Sequence, residues 1–168
     1  MAKPPILPIN NEKSYFDRLV EEVIPFYKEQ DISLNFDGFR DTLEQYSKLD
    51  NTDYDRTWKV GKELNMWSEY LADIYALNEK FLLDSETEKN KEFAVASSNV
   101  DGAVSKGDRN AEKDPIVIQA RKRRNLLKSF STALEKKIDF CNTSYHHCKY
   151  TCQWLSQIKG NGSGVIPL

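Results

Sequence analysis

Two short stretches hold residue types that could do chemistry. The first, ARKRRNLLK (120–128), places Arg121, Lys122, Arg123, Arg124 and Lys128 within nine positions of a chain whose formal net charge is -2. On a helix, Arg121, Arg124 and Lys128 share one face while Lys122 and Arg123 point elsewhere, so the run forms a broad cationic collar. Cations in the first turns of a helix oppose its dipole, each at a cost of roughly a few tenths of a kcal/mol, so local helix stability does not explain them. The four consecutive cations have no acidic neighbour in sequence. The readings open at this point are a solvated face and a surface that meets phosphates. The second stretch, CNTSYHHCKYTC (141–152), gathers Cys141, His146, His147, Cys148 and Cys152. These are metal-ligand types, but a zinc site takes ligands from converging elements, and one straight helix cannot wrap an ion. The three cysteines instead fall on a heptad seam, where a free thiol behaves as a small buried hydrophobe. No metal site is expected, and His146 and His147 have no assigned role.

The elements that must position these residues read as helices. Residues 1–11 form a Pro-rich extended arm, and Ser14 is placed to cap a helix over roughly 15–29, which Pro25 should break or kink. DISLNFDGF (31–39) reads as a turn region, with Asp37 capping a short helix to about residue 48. From Arg56 to about Ser97 the pattern is that of a long helix, with Leu64, Trp67, Leu71, Ile74, Leu77 and Phe81 on one stripe. Beyond Leu83 it turns polar through DSETEKNKE, as a segment projecting from the core or joining a subunit contact would. Residues 97–110 read as a mobile loop. Asp114 and Pro115 then open a last helix to about Ile158. Its seam is Leu127, Leu134, Ile138, Cys141, Tyr145, Cys148, Cys152 and Leu155, whose alternating four- and three-residue steps are those of a coiled coil or bundle. Residues 160–168 read as a flexible tail. The expected fold is all-α: long antiparallel helices with a coiled-coil-like seam, oligomeric, with an N-terminal arm and short helices over 1–55 and a helical hairpin core over 56–168.

Composition bounds the function. The chain has 168 residues, 39% hydrophobic and 30% charged, with three Trp, eight Tyr and eight Phe to build a core. No stretch approaches the roughly 18 apolar residues of a membrane span, and the start MAKPPILPINN lacks the form of a secretory signal, so a cytoplasmic protein is expected. Phosphate-binding glycine loops, GxSxG and HExxH are all missing, and the two adjacent histidines leave a nucleophile little choice of base. No cofactor is implied, and the chain reads as non-enzymatic. Residues 1–102 carry 12 Lys and Arg against 21 Asp and Glu, while residues 103–168 carry 12 against 5. Such halves face different partners or each other.

LNMWSEYLADIYALNEKFLL (64–83), NAEKDPIV (110–117) and IDFCNTS (138–144) occur in an order and spacing that resemble the phage recombination mediator proteins of the UvsY type. LNMWSEYLADIYALNEKFLL is similar to that family's aromatic-Ser-x-aromatic-Leu helix. NAEKDPIV is similar to the segment opening its last helix, and IDFCNTS resembles the Asp-Phe-Cys stretch within it. The likeness spans residues 64–158 and leaves 1–55 without a counterpart. It implies a non-enzymatic homo-oligomer, larger than a dimer, that binds single-stranded DNA and helps a recombinase displace the single-strand-binding protein. The family's basic, aromatic single-strand-binding stretch corresponds here to KNKEFAVASS (89–98), with only Lys89, Lys91 and Phe93. The expected nucleic-acid contacts are therefore Arg121, Lys122, Arg123, Arg124 and Lys128, with Lys89 and Lys91 as the second location. The competing expectation is a scaffold-like phage assembly protein with the same helices and no nucleic-acid role.

Overall fold

A computed structural model describes residues 13–99 and 104–161. The described residues are helical, without strands: α1 (Tyr15–Glu29), α2 (Phe39–Ser47), α3 (Tyr54–Ser98), α4 (Val104–Ala111) and α5 (Pro115–Asn161). Each boundary has a local cause. Ser14 and Asp17 form a reciprocal capping box at the start of α1, Asp53 accepts from the Arg56 N–H at the start of α3, and Asp114 accepts from the Ile116 N–H at the start of α5.

Helices α3 and α5 make an antiparallel hairpin. Going up α3, its partners descend α5: the backbone at Gly61 meets Cys148, Ser68 meets Asn142, Asn78 meets Leu127 and Ser131, and Glu86 meets Arg124. Of the expected seam, Leu127, Leu134, Cys141, Cys148 and Cys152 are buried and Ile138, Tyr145 and Leu155 half-buried. They pack against the α3 of their own chain. Gly61 permits a close approach of the two helices, because a Cβ there would stand 2.9 Å from the Cys148 Cβ. The seam also holds a buried polar chain that sequence periodicity does not reveal. The Tyr27 hydroxyl donates to Asn78 Oδ1 (2.9 Å), Asn78 Nδ2 donates to the Leu127 carbonyl (2.8 Å) and to Ser131 Oγ (2.7 Å), and Ser131 Oγ donates to Glu79 Oε1 (2.6 Å).

Helix α1 lies across the hairpin and buries Phe16, Leu19, Val20, Val23 and Tyr27, with Phe16 and Tyr27 both ringed against Phe130. Helix α2 seats Phe39 on Trp67 and Tyr46 on Phe140.

Helix α1 spans the expected 15–29 with Pro25 inside it, and Phe26 and Tyr27 beyond the proline pack on Phe81. Three expectations need correction. Asp37 does not cap α2; the cap is Gly38, in the left-handed conformation at φ 82° with no side-chain bond. The 97–110 loop is helical at both ends, since α3 runs to Ser98 and 104–111 forms α4, with residues 100–103 outside the described set. Helix α4 lies close on α3: Ser97 donates to Asp108 at 3.1 Å, and a Cβ on Gly107 would meet the Ser97 carbonyl oxygen at 2.5 Å. Finally, α5 extends through 160 and 161, past the expected start of the tail. The arm 1–11 and residues 162–168 lie outside the described residues.

Candidate nucleic-acid interface

The start of α5 lies beside the end of α3, so the basic collar meets the polar DSETEKNKE segment. That segment does not project freely. Arg124 donates through Nε (3.0 Å) and Nη2 (2.6 Å) to Glu86 Oε1, and Arg123 Nη1 pairs with Glu88 Oε2 at 3.1 Å. The hydrogen bond from Arg124, with its charge, holds the Glu86 carboxyl below the usual range, and Lys89 and Lys128 add to the effect. The absence of acidic neighbours in sequence is thus misleading, since the neighbours come from the antiparallel helix.

The seven expected contacts separate into groups. Lys89 and Arg121 line one open cleft of about 420 Å³ with Arg124, together with Asn90, Phe93 and Asn125. Arg121 is exposed, whereas Lys89 and Arg124 are half-buried. Lys128 is exposed and reaches Glu86 electrostatically. Lys122 and Arg123 line the other side of α5, in a groove against α1, where the Arg123 guanidinium stands 5.8 Å from the Phe26 ring centroid. Lys91 is exposed and lines neither. Of the aromatic side chains near the run, Phe130 is fully buried and unable to stack on a ligand, while Phe93 is half-buried at the cleft.

The cleft can therefore take an anion. Arg121 and Lys89 offer charge without an ion-pair partner among the described residues, and Arg124 offers a guanidinium already held by a carboxylate. Asn90 and Asn125 supply amides at its wall, and Arg124 Nη1 donates to Asn125 Oδ1 at 3.2 Å. Sequence reasoning missed Glu86, Glu88, Asn90 and Asn125. The signal was present as an acidic run and a basic run of similar length on two long helices, but their register was needed to align them.

The cysteine-histidine stretch does not converge. Cys141, Cys148 and Cys152 are buried on the hairpin side of α5, and His146 and His147 are exposed. His147 Nδ1 lies 3.3 Å from the Tyr46 hydroxyl. Among the described residues no group of three or more His, Cys, Asp or Glu side chains is placed to hold a metal ion. Burial pushes the Cys141 and Cys148 thiols up to about 11, and the Cys152 thiol is raised for the same reason. No helix among the described residues is long and apolar enough to cross a membrane.

Comparison of the chain with protein-family models, curated proteins and solved structures finds no match.

Proposed function

We propose that the chain is a non-enzymatic, single-stranded DNA-binding recombination mediator that helps load a recombinase onto DNA covered by single-strand-binding protein. The observation that carries this reading is the cleft in which Lys89 and Arg121, far apart in sequence, stand on facing helices beside Arg124 and Phe93. Cations on both walls of the cleft, Arg121 among them exposed, suit phosphates, and the half-buried Phe93 ring beside them suits an unpaired base, the combination that single-strand binders use. Phosphate contacts of this kind position a strand without reading its sequence. Self-association belongs to the same reading, as an assembly larger than a dimer that repeats the cleft along one strand and so adds weak contacts by effective concentration. The cytoplasm, the host's if the gene is phage-borne, is where such a mediator would work.

The experiment is the salt dependence of binding to a fluorescent oligothymidylate. Affinity should fall steeply with salt. Lys89→Ala with Arg121→Ala should weaken binding about tenfold or more and leave the far-ultraviolet circular dichroism unchanged. Binding that is negligible at low salt would defeat the reading.

One observation favours the alternative, a scaffold-like assembly protein without a nucleic-acid role. Arg123 and Arg124 are already engaged by Glu88 and Glu86, so half of the four consecutive cations serve the hairpin itself. On that reading the same two variants leave every ligand assay flat.

A further inference from the structure

A second cluster lies at the other end of the molecule and has no part in the cationic cleft. On α3, Glu63, Met66, Trp67 and Tyr70 fall at i, i+3, i+4 and i+7, one face of the helix, and with Asn35 and Asp37 they line an open cavity of about 420 Å³. The Trp67 and Tyr70 rings meet at 74° with centroids 5.7 Å apart, so they form a corner. Both rings are fixed from behind. The Trp67 indole N–H donates to Thr42 Oγ1 at 3.2 Å, and the Tyr70 hydroxyl accepts from the Asn35 N–H at 3.0 Å. Phe39 packs on Trp67 at 5.0 Å and Phe36 on Tyr70 at 6.1 Å. Met66 beside them is 68% exposed. Among the described residues neither Asp37 nor Glu63 has an ion-pair partner, and Glu63 takes only a long bond, 3.4 Å, from Thr42.

Two pre-set aromatic faces and two unpaired carboxylates make a receptor for an organic cation. The ring quadrupoles attract a guanidinium or alkylammonium group, and the carboxylates complete its charge. This chain carries suitable side chains: Arg121 and Lys122 are exposed and have no ion-pair partner among the described residues. They cannot reach the corner of their own molecule. Arg121 lies level with Asn90 on α3, 23 residues from Trp67, which is roughly 35 Å along a helix. The opposite charges of residues 1–102 and 103–168 favour the same contact between copies.

We propose that the Trp67–Tyr70 corner, with Asp37 and Glu63, is a binding site for the Arg121–Lys122 pair of a second copy of this chain. It deepens the self-association proposed above by naming the surfaces that meet, and it rests on that reading.

The test is sedimentation velocity of the full chain at micromolar concentration without nucleic acid. Three proteins are compared: the parent, Asp37→Lys with Glu63→Lys, and that pair combined with Arg121→Glu and Lys122→Glu. The parent should self-associate, more weakly as salt rises. Reversing the two carboxylates should weaken association about tenfold, and reversing the collar as well should restore it. If the doubly reversed protein loses its helical circular dichroism, Asp37→Asn with Glu63→Gln replaces it, and a weakening of about threefold is expected. Association that survives loss of the two carboxylates overturns the site and leaves self-association standing. Weakening without restoration overturns the pairing with Arg121 and Lys122. A monomeric parent overturns the site and the self-association reading together.

Discussion

Glu86 competes with any phosphate for Arg124, and Glu88 does the same for Arg123. Both pairs are partly exposed, so each contributes little to stability, and their larger effect is to occupy guanidinium groups that the proposed strand would otherwise meet. Replacing Glu86 and Glu88 by Gln should therefore raise affinity for oligothymidylate several-fold. It should also steepen the salt dependence by about 0.7 for each arginine released, as read from the slope of log affinity against log salt. A double variant that binds like the parent would mean that the pairs open freely in the complex. The pH dependence follows from the sign of the shift. The folded Glu86 carboxyl is below its ordinary 4.5, so its pairing is complete above that value and is lost as pH falls through the lower, folded one. The gain from the substitutions should thus be the same at pH 8 and pH 6. The cysteines give a second residue-scale prediction. With thiols at about 11, roughly one in a thousand of Cys141 and Cys148 is thiolate at pH 8, so native-state alkylation should be slow and should accelerate sharply on unfolding. Cys148→Ala should lower stability by about 1 kcal/mol in urea unfolding. Rapid native labelling would contradict the burial of these side chains on the seam.

The long helices were legible because their apolar stripes and the lack of Pro past their first turns agree, and the expected starts at Ser14 and Asp114 stand at helix starts. What was not legible is how α3 and α5 align. Apolar periodicity is degenerate along a rod, since a slide of one heptad keeps the same stripes in contact. The particular register comes from polar and small residues that a search for apolar positions passes over. Asn78 is fully buried with its amide bonded on both sides, Ser68 meets Asn142 at 2.7 Å, and only a glycine fits at position 61 against Cys148. Asn78→Ala leaves the Tyr27 hydroxyl and the Ser131 hydroxyl without this partner in a dry site, and should cost about 2–3 kcal/mol. Gly61→Ala forces the two helices apart and should cost about 1–3 kcal/mol. Chemical denaturation of the two variants checks both figures, and a loss under about 0.5 kcal/mol at either position would show that the register is held elsewhere. Helix α4 was hidden for a related reason. The loop signal of its glycine was overridden by the tertiary packing of Gly107 on Ser97.

At the scale of the whole molecule the charge asymmetry was visible from the sequence, but which cations remain free was not. The pairs Arg123–Glu88 and Arg124–Glu86 join residues 35 and 38 positions apart, so they exist only once the hairpin is in register. Folding consumes two of the seven expected contacts and leaves five without an ion-pair partner among the described residues: Lys91, which lines neither groove, and Lys89, Arg121, Lys122 and Lys128, the four about the start of α5 that are counted here. That count converts the functional proposal into a number. Four phosphates neutralised per subunit on a single strand, at about 0.7 counterions each, predict a slope of roughly -3 per subunit in log affinity against log salt. A slope near -4 would mean that the strand also displaces Glu86 and Glu88 and recruits both arginines. In that case the Gln substitutions should leave the slope unchanged while still raising affinity. A slope near zero would remove the phosphate contacts altogether and leave the collar only the proposed contact between copies. The two proposed uses of the collar also compete, because Arg121 and Lys122 would serve a neighbouring copy as well as the strand. Oligonucleotide added to the assembled protein should then loosen the contact at Trp67 and Tyr70 in proportion to the sites filled. Sedimentation at stepwise oligonucleotide ratios would read this as a fall in the mass of protein per particle, and Asp37→Lys with Glu63→Lys should abolish that dependence while leaving the salt slope near -3.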